Sequence, residues 1–156
     1  MGLELGQFIA IGANVGVIAG LVFLAMEIRQ NNKFLAAQAR YSLRQYRSDI
    51  ADSLMLPHVI EATHKWARGE PISPEEKSTG LMVAIKIVEL WEWQYGEYAA
   101  GMLREAELPV GAWRLWFHDQ GPFPVPVREI YQMRRDVLNT EFVRFFEEQV
   151  VSRPPG

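Results

Sequence analysis

The chain of 156 residues has no cysteine and only three histidines, His58, His64 and His118. Lack of thiols excludes a cysteine nucleophile and suits a reducing compartment among several others. The chain also lacks a G-x-S-x-G elbow, a Walker loop, a dinucleotide fingerprint and an H-E-x-x-H pair. Common hydrolytic chemistry has little to work with, so a protein with no catalytic residues and no cofactor is expected. No segment alternates apolar and polar residues as a half-buried strand does, which leaves an all-α fold. Internal repeats are absent too. Lys and Arg are missing before Arg29, and neither Pro nor Gly interrupts residues 21–56.

Against these absences stands one long apolar run. From Phe8 to Met26 the only strongly polar side chain is Asn14. At about 1.5 Å rise per residue, such a run spans about 28 Å, close to the hydrocarbon thickness of a bilayer. A core helix of a small soluble domain rarely needs apolar residues all round. A cleaved secretory signal would want a basic n-region and a small-residue cleavage site, and neither is found around this run. The Met-Gly start lacks the Ser or Thr at position 6 that myristoylation prefers, since Gly6 stands there. A membrane span is therefore expected.

Charge sets the orientation. Residues 27–47 carry five bases, Arg29, Lys33, Arg40, Arg44 and Arg47, against one acid, Glu27. The positive-inside rule then places the N-terminus outside and the larger C-terminal part in the cytoplasm, with these five bases at the lipid headgroups. Residues 48–156 are acidic, with 11 bases and 17 acids, and the whole chain carries a net charge of −3. That balance disfavours nucleic acid as a partner.

The helical pattern continues past the span. Ile28, Leu35, Ala39, Leu43, Tyr46, Ile50 and Leu54 recur at helical steps, which predicts one helix from about Leu5 to about Met55. Its second half is expected to be an amphipathic stalk, and Pro57 to start a new element. Three regions follow: 1–26 as outer tail and span, 27–56 as basic stalk, and 57–156 as a small cytoplasmic helical bundle. Within the last, "PHVIEATHKWARG" predicts a short helix closed by Gly69. "SPEE" predicts a start with Ser73 as N-cap, Pro74 in the first turn and Glu76 completing a capping box, for a helix reaching about Leu103. Its apolar face is expected along Leu81, Ile85, Val88, Trp91, Tyr95, Tyr98 and Met102. A fourth helix lies in "LPVGAWRLWFHDQG". "GPFPVP" cannot be regular, a fifth helix runs Val127–Leu138, and Thr140 caps a sixth through "EFVRFFEEQVV".

Gly12, Gly16 and Gly20 fall at i, i+4 and i+8, a side-chain-free strip along one helix face. Two backbones can approach closely along such a strip, which makes self-association, or docking to another integral membrane subunit, the expected role of the span. Asn14, two residues off the strip, could hydrogen-bond a partner helix or, near the interface, water. His58, Glu61 and His64 resemble half of a di-iron Glu-x-x-His arrangement, but no second half exists and no metal site is expected. His118, Asp119 and Glu107 are weighed as an acid–base group and set aside, because neighbours in sequence point apart on a helix. The dense aromatics Trp91, Trp93, Tyr95, Tyr98, Trp113, Trp116 and Phe117 suit a core, with an interface or a pocket as the alternative.

At "IGANVGVIAGLVFLAMEIRQNN" the chain resembles a widespread set of uncharacterised bacterial membrane proteins. Their glycine-spaced spans end in a "YLAxQIRQN"-type boundary, here "FLAMEIRQN", with Glu27 where those proteins often have Gln. The likeness continues loosely through "SPEE", the tryptophan-bearing third helix and "EFVRFF". The resemblance implies a single-pass protein of the bacterial inner membrane and supplies no catalytic residue. A homo-oligomer or an accessory subunit of a larger membrane complex is the leading expectation. A membrane-tethered sensor or enzyme that binds a small apolar ligand is the alternative. An oligomeric pore with Asn14 toward its lumen ranks third, because the span carries no charge to mark a conduction path.

Overall fold

The computed structural model describes residues 5–121 and 126–156. Four of the six residues of "GPFPVP", and the Met-Gly start with Glu4, lie outside the described residues. The described residues are all-α, with no strand among them. Six α-helices follow one another: α1 (Leu5–Leu54), α2 (Pro57–Ala67), α3 (Pro74–Ala99), α4 (Val110–Phe117), α5 (Val127–Arg134) and α6 (Thr140–Phe146). A 3₁₀ turn (Glu105–Glu107) precedes α4, and a wide π-type turn (Glu147–Val151) extends α6.

The chain divides into two compact units, residues 1–38 and 39–156. The first consists, in its described part, of helix alone. α1 includes one stretch long and apolar enough to cross a membrane, with a mean hydropathy of 2.3 and no part buried. Its large apolar side chains lie on all sides, from Phe8 and Ile9 through Ile18 and Phe23 to Ile28, and every one is exposed.

In the second unit the last turns of α1 are part of the core. Leu43, Ile50 and Leu54 are buried, while Ile28 and Leu35, earlier on the same predicted stripe, are exposed. The residues expected as a stalk over 27–56 therefore fall in two units, with the boundary after Gln38. The physical reason is that an apolar stripe is buried only where other elements exist to cover it. α1 ends because Pro57 forces Leu56 into an extended conformation, φ −66° and ψ 130°.

α2 ends as expected. Gly69 adopts φ +64°, its N–H reaches the Trp66 carbonyl at 3.0 Å, and the Glu70 N–H reaches that of Lys65 at 3.0 Å, a Schellman closure. The Ser73–Glu76 capping box is formed in full: the Glu76 N–H donates to Ser73 Oγ at 3.2 Å, and the Ser73 N–H donates to Glu76 Oε2 at 2.8 Å. α3 stops at Ala99, short of the expected Leu103. Gly101 turns left-handed at φ +74°, and the Met102 N–H folds back on the Glu97 carbonyl at 2.8 Å. This second Schellman closure ends the helix before its apolar pattern does.

α3 is the central helix, packed by α2, α5 and α6. Its most buried line is Gly80, Val83, Ala84, Ile87, Val88, Leu90, Trp91 and Gln94. The expected face shares only Val88 and Trp91 with that line. Leu81, Ile85, Tyr95 and Tyr98 are half-buried at the edge of the core, and Met102 lies beyond the helix. A helix covered from several directions has no single apolar stripe for periodicity to find. At Gly80 an added Cβ would meet the Trp66 ring at 3.6 Å, so α2 and α3 pack closely there.

The last two helices depart from expectation at one end each: α5 ends four residues short of Leu138, and the cap of α6 lies one residue earlier than expected. α5 stops at Arg134, because a turn carrying the Val137 N–H to the Arg134 carbonyl at 2.9 Å leads into the next cap. That cap is Asn139 and not Thr140: Asn139 Oδ1 accepts from the N–H groups of Glu141 at 2.9 Å and Phe142 at 3.1 Å. Asn ranks above Thr as an N-cap, and here its one side-chain oxygen serves two free donors. α6 then delivers Phe142 and Phe146, and the π-type turn Val150, all fully buried. Phe146 is the aromatic hub, with ring centroids at 4.7 Å from Tyr131, 5.4 Å from Trp91 and 5.5 Å from Phe117.

Candidate functional site

Two places among the described residues stand out, one in each unit. The first is the glycine strip of α1. A Cβ added at Gly12, Gly16 or Gly20 would meet nothing within 4 Å. The strip is thus open along its length, flanked by exposed Val15, Val17 and Leu21. Asn14 is exposed too, but two residues turn an α-helix by about 200°, which puts it on nearly the opposite face from the strip. Of the five expected headgroup bases, Arg29, Lys33, Arg44 and Arg47 are exposed and have no side-chain partner among the described residues. Arg40 behaves differently. Its Nε lies 2.9 Å from Glu107 Oε1 and a terminal nitrogen 3.3 Å from Oε2, a bidentate pair within the second unit.

Glu107 collects further donors: the backbone N–H of Arg104 at 3.0 Å and the Arg104 Nε at 3.0 Å. The Arg40 guanidinium, then the Arg104 backbone and side chain, hold the Glu107 carboxyl at about 2 in place of its ordinary 4.5. It is an anchored anion, tying the turn before α4 to the last part of α1.

The second place is a cavity of about 400 Å³ inside the second unit. Ile50 and Leu54 from α1, Ile87, Leu90 and Trp91 from α3, and Trp113 and Trp116 from α4 form its apolar walls. The sequence brings these together because the Leu43–Ile50–Leu54 stripe of α1 and the buried line of α3 each leave a large side chain every turn or so. Trp91 and Trp113 stack at 5.8 Å with their planes 27° apart, which holds one wall flat. Exposed Ala51, Met55 and Ala112 form its rim, together with Arg47.

One polar group lies in this apolar lining. Gln94 is 1% exposed, and its Oε1 accepts a hydrogen bond from Trp113 Nε1 at 3.2 Å. Since an indole nitrogen only donates, that bond fixes which end of the amide is oxygen. The Gln94 Nε2 is left as a buried donor with no partner. Such a group costs about 1–3 kcal/mol in an empty apolar setting. Sequence reasoning singled out neither Gln94 nor the rim position of Arg47. A signal for the first was present: Gln94 continues the i, i+3, i+4 line through Ala84, Ile87 and Trp91 as its one long polar member.

The other residues weighed from sequence disperse. His58, Glu61 and His64 are exposed on α2, and Glu61 pairs with Lys65 at 3.1 Å. Among the described residues no group of three or more His, Cys, Asp or Glu could hold a metal ion. His118 Nε2 lies 3.0 Å from the Val150 carbonyl, Asp119 pairs with Arg128 at 3.2 Å, and Glu107 serves Arg40 and Arg104. The three face three different partners and make no acid–base group. Trp91, Trp113 and Phe117 are core residues, whereas Trp93, Tyr95, Tyr98 and Trp116 are half-buried around it.

No family model, curated protein or solved structure matches the chain.

Proposed function

We propose that the chain is a single-pass membrane protein that works by assembly rather than catalysis, its span pressing a glycine face against a second helix. The second helix belongs to another copy or to an integral subunit of a larger membrane complex. The observation that carries this reading is the open strip at Gly12, Gly16 and Gly20 on a helix whose apolar side chains are exposed on every side. In water such a surface is unfavourable by about 25 cal/mol per Å² of apolar area, so lipid is its natural solvent. Within lipid, the strip gains close backbone contact and Cα–H···O interactions that acyl chains do not offer. Unpaired Arg29 and Lys33 just past the span favour anionic headgroups, with the N-terminus outside and the remaining chain in the bacterial cytoplasm.

Native mass analysis of the protein extracted from its own membrane tests the reading. Gly16→Leu should reduce the assembled mass while leaving the protein in the membrane fraction. An unchanged assembled mass in that variant would remove the glycine face from the account.

A further inference from the structure

We propose that the cavity between Ile50, Trp91, Gln94, Trp113 and Trp116 is a binding site for an apolar monocarboxylate. It lies wholly within residues 39–156, so it stands or falls independently of the assembly reading.

Four observations define the ligand. The volume, about 400 Å³, falls in the range of small-molecule sites and is too small for a folded segment of another protein. The walls are aliphatic and indole surface, which sets an apolar body. Gln94 Nε2, buried and unpartnered, has its donor capacity free for a hydrogen-bond acceptor. Arg47 at the rim has no anionic partner among the described residues, and no acidic side chain lines the cavity. A cation would find no counter-charge here, and a neutral hydrocarbon would leave the amide unsatisfied. An acid with a hydrocarbon tail meets both needs: oxygen lone pairs for the amide and negative charge for the guanidinium.

The experiment uses the full chain in lipid nanodiscs and equilibrium dialysis of radiolabelled decanoate, with empty nanodiscs subtracting partition into lipid. Saturable binding of one decanoate per chain is expected, with decanol binding at least tenfold more weakly. Arg47→Gln should weaken decanoate about tenfold and leave decanol unchanged, because only the charge-assisted bond is lost. Ala51→Phe, a substitution at an exposed position that fills the mouth without disturbing the core, should abolish both. Absence of saturable decanoate binding overturns the proposal. Unchanged decanoate affinity in Arg47→Gln overturns the carboxylate assignment, and unchanged affinity in Ala51→Phe overturns the cavity as its location. Circular dichroism of each variant, matching the wild type, excludes loss of fold as the cause.

Discussion

Phe8, Ile18 and Phe23 are as apolar as Phe142, Phe146 and Val150, yet the first three are more than half exposed and the last three have no exposure at all. The second group finds its partners within residues 39–156, where α3 offers a face to each neighbouring helix. The first group has no such neighbour within its unit. Apolar surface carries the same free energy in both regions, so what differs is the supplier of the covering: the chain itself in the second group and, in the function proposed above, lipid or a second helix in the first. α1 belongs to both regimes, changing from one to the other after Gln38.

The sharpest way to break this comparison is to damage each region and watch the other. Phe146→Ala removes the aromatic hub and should destabilise the helical unit by about 3–5 kcal/mol, lowering its thermal midpoint sharply, while the membrane-bound fraction stays constant. Ile18→Asp should do the reverse. A charge at the centre of the span costs about 3 kcal/mol of insertion, so carbonate washing should release protein whose helical unit still melts at the wild-type temperature. If Ile18→Asp lowered that melting temperature and left the membrane fraction intact, the exposed helix would be serving the fold and the contrast would vanish.

Smaller effects sharpen it. Asn139→Ala removes the cap of α6 and should cost about 1 kcal/mol in thermal unfolding, whereas Thr140→Ala should cost little. Glu107→Gln gives a pH signature. The folded carboxyl sits at about 2, below its ordinary 4.5, so its contribution is complete above the ordinary value and is lost as pH falls through about 2. The difference in thermal midpoint between wild type and Glu107→Gln should hold steady near neutrality and shrink steadily below pH 4.5. A difference that persists unchanged at the acid end would show that the Arg40 pair adds nothing.

Much of the helical architecture was legible in local chemistry. The uninterrupted helix up to Leu54, the left-handed Gly69, and the Ser73–Glu76 box all depend on a few adjacent residues, and each forms where those residues stand. Legibility failed where two local signals competed. Asn139 and Thr140 are both good caps, and only the closing of the turn after Arg134 chose between them. It failed again on α3, where periodicity suggested one stripe through Leu81 and Ile85 and packing by several helices buried another. Arg40 read as one base among five until Glu107, 67 residues away, was brought beside it.

The amino-acid order alone determined an all-α chain, an apolar helix of membrane-spanning length and a glycine line along one side of it, because rise, periodicity and capping are properties of neighbouring residues. Which half of the long amphipathic pattern is buried, which base is paired, and that a lone glutamine amide is left without an acceptor in a tryptophan-walled cavity were decided by the tertiary structure. Those outcomes depend on side chains from α1, α3 and α4 meeting in space, and nothing in the spacing along one helix reports what the next helix brings to it.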